Sequence, residues 1–290
     1  MTPCLITPAY HRDAPLLDLA CAQVDRFCPA VEHIIVASRQ KRRDFAHLQS
    51  RSRKLILIED VIGSFTWRAP VNYRKRELYF TKGFRPVDGW VMQQFVKLAA
   101  PDFTAADLLL NLDSDVFFVR PFREQDFVEE GRVRLLRKTP SLAGFQRVWH
   151  GRARALFGLP GVDGLEPDYV GSLIAWRRDV LLELRQRLEA RGSASWLDVM
   201  TREKNFSEYT LYGSFVEGLL GGAPERHFVS DLEVCLNSWD WRQEGDLVEA
   251  CMAALKSHHA AINLQSNLRL PFEQTRAIVE AVTHRTEARL

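Results

Sequence analysis

Ala106–Phe122 reads ADLLLNLDSDVFFVRPF, and the fold turns on how this stretch is interpreted. Leu108, Leu109, Leu110 and Leu112, interrupted only by Asn111, form an apolar run of the kind a parallel sheet buries on both faces. Asp113, Ser114 and Asp115 follow at once, and a second apolar run begins with Val116, Phe117, Phe118 and Val119. Two carboxylates between hydrophobic segments are costly to bury unless a cation meets them. At the carboxyl end of a central strand, where open α/β sheets bind ligands, that cation is often a divalent metal. The competing reading is a strand-ending turn, which Asp and Ser favour on their own account.

Working outward, composition narrows the class. A chain of 290 residues with 46% hydrophobic and 26% charged side chains has the balance of a soluble globular protein, with room for one large α/β domain. A formal net charge of +2 gives no general reason to expect nucleic acid as a partner. No apolar run approaches the roughly twenty residues of a membrane helix, and MTPCLITPAYHRD does not read as a signal peptide. The five cysteines show no C-x-x-C pair, which argues against a disulfide framework and a structural zinc and predicts a reduced, cytoplasmic protein.

Taken in order, Cys4–Thr7 predicts a strand, Leu16–Cys28 a helix opened by Pro15, and His33–Ala37 and Lys54–Ile58 two further strands. That alternation is the opening of a Rossmann-like half, without the G-x-G-x-x-G of a dinucleotide site. Arg39, Lys41, Arg42, Arg43, Arg51, Arg53 and Lys54 make a basic segment, either a solvated helix face or a contact for an anionic acceptor or membrane leaflet. Gly63–Asp88 reads as an irregular insertion. Gly89–Ala100 predicts a helix with Val91, Met92, Phe95, Leu98 and Ala99 on one side and Trp90, Gln93, Gln94 and Lys97 on the other.

A D-x-D after a hydrophobic strand, preceded by the helix G-W-x-x-Q-Q-x-x-K-L, resembles the GT-A glycosyltransferases, in a bacterial branch. The resemblance implies an α/β, Rossmann-like GT-A fold with a mixed central sheet flanked by helices, as a single domain over residues 1–290. Residues 1–122 would be the nucleotide-sugar-binding half and 123–290 the acceptor-binding half. It further implies transfer of a sugar from a nucleotide-sugar donor to a hydroxyl acceptor, a glycan or lipid-linked glycan, at the inner face of the membrane. The expected metal is Mn²⁺, with Mg²⁺ next, held by Asp113, Asp115 and a histidine from the C-terminal part. In Ser257–Asn267, strand parity puts His259 with Asn263 and Gln265 on the polar side, so His259 is chosen over His258.

By the same resemblance, Thr7, Tyr10, Asp13 and Asp60 at the first strand ends would meet the nucleoside, with turn formation or helix capping as the alternative for each. Gln93, Gln94, Lys97 and Ser114 would line the donor site, Lys97 offsetting phosphate charge. In the second half, Gly171 would admit a sugar closely and Tyr169 or Trp176 would stack on it, although packing is the commoner task of such aromatics. In NFSEYTLYGSFVE (205–217), Glu208 is the candidate general base, or simply an acid stabilising the helix start. Trp239, Asp240 and Trp241 form an aromatic-acidic patch suited to carbohydrate or to anchoring a loop. The rival readings are a sugar- or nucleotide-sugar-binding protein without catalysis, and a Mg²⁺-dependent phosphohydrolase. The second is a poor match, because Phe117 stands where Thr or Val is expected.

Overall fold

The computed structural model describes residues 1–10, 13–62, 67–73, 76–80, 86–140, 144–191, 194–239, 241, 245–265 and 268–289. The first half runs β1 (Pro3–Pro8), α1 (Ala14–Phe27), β2 (Glu32–Ala37), α2 (Arg42–Phe45), β3 (Arg53–Leu57) and α3 (Ile58–Val61). It continues with β4 (Trp67–Tyr73), β5 (Arg76–Phe80), β6 (Pro86–Asp88), α4 (Gly89–Leu98), β7 (Leu108–Leu112) and β8 (Val116–Phe118). The second half begins with β9 (Val128–Glu129), β10 (Arg132–Leu136), α5 (Gly144–Phe157), β11 (Leu173–Arg177), α6 (Arg178–Glu189) and α7 (Trp196–Met200). It closes with α8 (Glu208–Leu219), β12 (His227–Ser230), β13 (Cys235–Leu236), α9 (Leu247–Ala254), β14 (Ala261–Asn263) and α10 (Phe272–Glu287).

The central sheet has the order β11-β7-β1-β2-β3. β1, β2, β3 and β7 are parallel, and β11 joins β7 antiparallel. This is the mixed α/β sheet that the resemblance implies. Its strands read as apolar runs because helices cover both faces. On β7, Leu108, Leu110 and Leu112 enter the layer containing Val24 and Phe27 of α1, while Leu109 enters the layer of α4 and α8. The two-residue period therefore carries Asn111, and Asp113 after it, to the α4–α8 side.

The second apolar run does not continue β7. Asp113–Asp115 turns the chain, and β8 enters a separate sheet of order β13-β14-β8. The ends of two sheets consequently meet at the acidic turn.

The expectation of an irregular segment at Gly63–Asp88 is corrected: β4, β5 and β6 form an antiparallel sheet there. Proline removes a ladder donor and is tolerated at sheet edges and bulges. Pro70 lies on the edge strand β4, where the register shifts between Ala69 and Tyr73, and that interruption hides the strand from sequence patterning. Asp88 then caps α4, its side chain accepting from Val91 N at 3.0 Å.

Candidate active site

Lys97 is the centre of the site. Position seven residues beyond Trp90 places it on the polar side of α4, and the side chain is nonetheless buried against α8 and the end of β7. Its ammonium donates to Asp113 Oδ1 (2.9 Å), Glu208 Oε1 (3.0 Å) and Tyr209 Oη (2.8 Å), and lies 4.6 Å from the Tyr209 ring centroid. Three donors on one nitrogen are thus matched by three acceptors from two distant segments. Burial alone lowers the lysine pKa, but Asp113, then Tyr209 and Glu208, more than offset it, and the pKa stands well above the ordinary value. Gln94, one turn before Lys97, accepts from Glu208 N (3.1 Å) and fixes the start of α8, where Ser207 supplies the N-cap. Gln93 is half-buried one turn from Lys97.

The acidic turn is held from two directions. Ser114 Oγ donates to Asp13 Oδ2 (3.2 Å), tying the β1–α1 loop, which also carries Tyr10, to the turn. Asn263 Nδ2 donates to Asp115 Oδ1 (2.8 Å) and to Asp115 O (3.3 Å) from the end of β14. Asn263 is buried, and its own carbonyl oxygen Oδ1 has no partner. A buried acceptor left unmatched beside a carboxylate pair suits a hard cation with oxygen ligands. Among the described residues no group of three His, Cys, Asp or Glu side chains could hold a metal. The oxygen-bearing side chains at the turn are those of Asp113, Asp115 and Asn263.

A further polar group borders the turn on the side of the second half. Asp113 N donates to Ser172 O (3.4 Å), Ser172 Oγ donates to Asn237 Oδ1 (2.5 Å), and Asn237 Nδ2 donates to Glu233 Oε1 (2.5 Å). Lys138 Nζ reaches Asp168 Oδ2 (3.1 Å) and Glu233 Oε1 (3.4 Å) and sits 4.8 Å from the Trp239 ring centroid. Burial raises the pKa of Glu233, with Lys138 and Asn237 opposing. Asp240 of the aromatic-acidic patch lies outside the described residues.

Several expected residues have other places. His259 is corrected as a metal ligand. The register sets Ala261 opposite Phe118 and Asn263 opposite Val116, so His259 lies beyond the far end of β8 from Asp115. Five residues of strand separate the two levels, about 16 Å. Its Nδ1 accepts from Lys256 N (3.0 Å), and burial, reinforced by His258, lowers its pKa to about 4. His259 and Asn263 share parity, but it is Asn263 that stands beside Asp115.

Thr7 is corrected as a nucleoside contact. It points to the α1 side and shares a hydrogen bond with His33 Nε2 (3.0 Å). Arg53 Nε donates to His33 Nδ1 (3.1 Å), so the neutral ring carries its proton on Nε2 and donates to Thr7. Asp60 follows the edge strand β3, three positions from β7, and pairs with Arg39 on the surface. Trp176 stacks on Tyr212 in the core (centroids 4.9 Å apart) and pairs with Leu109, three residues below the strand end. The Tyr169 hydroxyl donates to Glu217 Oε2 (2.5 Å), and its ring fills the space that Gly213 leaves, where a Cβ would lie 2.4 Å away. At Gly171 a Cβ would stand 2.7 Å from Ile174 Cδ1 and 3.1 Å from Leu136 Cδ2, so packing, not ligand approach, calls for glycine.

Sequence reading missed Asn263, Asn237, Ser172, Glu233 and Lys138. Asn263 was visible through its parity, since it ends an alternating strand on the polar side. The others gather through pairings between remote strands and carry no local signal.

The fold is of the GT-A class. The structure is similar to that of an active-site mutant of LgtC, with TM-score 0.50 and 13% identity over 96% of this chain and 95% of that one. It is also similar to the galactosyltransferase LgtC solved with donor and acceptor sugar analogs, with TM-score 0.48, 14% identity and the same coverage. The chain belongs to DUF6492, a family of unknown function, whose model matches residues 23–237. Among curated proteins no match is found.

Proposed function

We propose that this chain is a metal-dependent glycosyltransferase that moves a sugar from a nucleotide diphosphate donor to a hydroxyl of a glycan or lipid-linked glycan. The observation that carries the reading is the acidic turn at the end of β7, where Asp113 and Asp115 stand two residues apart and Asn263, whose buried amide oxygen has no partner, bonds to Asp115. Asp113, Asp115 and Asn263 would hold Mn²⁺ or Mg²⁺, which when bound supplies Lewis-acid neutralisation of a departing diphosphate. Lys97 holds Asp113 in place from beneath and adds positive charge at the same end of the strand. Asp13 and Ser114 fix the turn on the donor side.

The resemblance implies Glu208 as the general base. Its carboxylate is buried and bonded to Lys97, which favours a positioning role: it orients the lysine. The base is assigned to Glu233, which is partly exposed, has a raised pKa and is linked to Asp113 through Asn237 and Ser172. In this assignment Glu233 takes the proton from the attacking acceptor hydroxyl while the bond from the sugar to the diphosphate breaks.

Thermal melting with nucleoside diphosphates and nucleotide-sugars, each with Mn²⁺, Mg²⁺ or chelator, tests the site. A ligand that binds only the folded chain raises Tm by mass action. The reading expects a metal-dependent rise with one nucleotide, lost in Asp115→Ala and weakened in Asn263→Ala but unchanged in His259→Ala. A rise with phosphate alone, or none with any nucleotide, overturns it. Turnover of the donor separates an enzyme from a binding protein.

A further inference from the structure

α5 meets the segment before β11 in a regular series. Gln146, His150 and Arg154, four residues apart, take the chain at Asp168, Pro167 and Glu166 in turn. Gln146 Nε2 donates to Asp168 Oδ1 (2.9 Å), His150 Nε2 to Pro167 O (2.8 Å), and Arg154 Nη1 to both Glu166 oxygens (3.1 and 3.2 Å). Side chains four apart share one side of a helix, so α5 fixes this segment along its length. Asp168 is also paired with Lys138 through the backbone: Lys138 N donates to Asp168 O (2.8 Å) and Asp168 N to Lys138 O (3.3 Å). Asp168 Oδ1 accepts from Val170 N as well (2.9 Å), and Oδ2 meets the Lys138 ammonium (3.1 Å).

The same ammonium reaches a second carboxylate. Lys138 Nζ lies 3.4 Å from Glu233 Oε1, and Asn237 Nδ2 donates to that same oxygen at 2.5 Å. Both donors therefore hold Glu233 by Oε1, and among the described residues Oε2 has no hydrogen-bond partner. The indole of Trp239 covers the cation, its ring centroid 4.8 Å from Nζ. The Lys138 and Asp168 side chains are only 19% and 13% exposed, so water screens their contact less than it does a surface pair. Two other ionisable groups line the small cavity beside Glu233. Arg134 donates to Asp126 O and Ser230 Oγ, and burial pushes the Cys235 thiol well above its ordinary pKa, so it stays neutral.

We propose that Lys138 and Asp168 are positioning residues for Glu233: they fix its carboxylate through Oε1 and leave Oε2 to take the proton of the acceptor hydroxyl. This rests on the assignment of Glu233 as the base. As the proton passes to Oε2, the hydroxyl oxygen bonds to the sugar carbon and the diphosphate departs with the electrons of the broken bond. Asp168, with both oxygens engaged, acts through the lysine and not on the acceptor. It anchors the ammonium and offsets part of its charge. An ammonium held by Glu233 alone would favour the ionised carboxylate and weaken it as a proton acceptor.

NMR titration of the full chain, labelled with ¹³C at the glutamate carboxyl carbons, reads the contact without substrate; Glu233→Gln identifies the resonance. Lys138→Met should raise the Glu233 pKa by about one pH unit or more, since an adjoining opposite charge lowers a carboxyl pKa by about 1–3. Lys138→Arg keeps the cation and should return most of that change. Asp168→Asn should move the pKa the other way, downward, because the lysine then serves Glu233 alone. The acid limb of the pH–rate profile for donor turnover should follow each variant in the same direction, with kcat changed more than the donor KM. A merely structural role would lower Tm and leave the titration where it was. If Glu233 titrates unchanged in Lys138→Met, or if Lys138→Met and Asp168→Asn move it in the same direction, the proposal is overturned. If the resonance moves as expected while the acid limb stays put, Glu233 is not the base, and the role given to Oε2 falls with that assignment.

Discussion

Replacing Lys97 by methionine would leave Asp113 and Glu208 facing each other without their common cation. Breaking a buried ion pair from one side costs about 3–5 kcal/mol, and urea unfolding should show a loss of that order. Adding Glu208→Gln to Lys97→Met should recover part of it, because a neutral amide removes the uncompensated charge. Glu233→Gln should behave oppositely, with stability close to the parent and kcat lower by about 10²–10⁴-fold, the contribution of a general base. Urea unfolding together with donor turnover checks the pair. If Glu233→Gln keeps full turnover, the base is not Glu233. His33 gives a pH signature at the same scale. Burial, helped by Arg53, lowers its pKa to about 3 from an ordinary 6.5. The unfolded chain then binds one more proton at this site between those values, so stability is complete above about pH 6.5 and declines as pH falls. The slope from one such group reaches about 1.4 kcal/mol per pH unit. Unfolding free energies measured between pH 7 and 4 should show it, and His33→Asn should flatten it.

At the scale of elements, α8 carries a restriction at Gly213. Glycine inside a helix costs about 1 kcal/mol relative to alanine, yet here an alanine methyl would enter the Tyr169 ring. Gly213→Ala is therefore expected to destabilise the chain by about 1–3 kcal/mol, the cost of overpacking, rather than stabilise it. A lower Tm in the variant checks this, and a raised Tm would show that α8 shifts freely. The regular elements were legible wherever one face or both were apolar. β1, β2, β3 and β7 were read within a residue or two, as were α1 and α4. The β4–β6 sheet was not, because Pro70 and the register shift interrupt its alternation. α6 begins at Arg178, with Arg177 in the cap position and no side-chain hydrogen bond capping it.

For the whole molecule, the two sequence halves are joined through their sheets. β11 of the second half pairs with β7, and β14 pairs with β8. A chain cut after Phe122 would lose the antiparallel edge of the central sheet and the whole partner of β8. One cooperative unfolding transition is expected, with tryptophan fluorescence and far-UV circular dichroism coinciding; two separated transitions would divide the chain into independent domains.

The sequence by itself determined the central α/β sheet and the position of Asp113 and Asp115 at the end of its strand. These follow from local periodicity and from the cost of placing charge among apolar residues, which a linear reading can weigh. Only the tertiary structure decided that Lys97, Asp113 and Glu208 share hydrogen bonds, that Asn263 and not His259 stands beside Asp115, and that Tyr169, Gly171 and Trp176 serve packing. Strand register and helix placement set those outcomes. A shift of two residues along β14 keeps a side chain on the same face but moves it about 7 Å, and no local pattern in the sequence encodes that displacement.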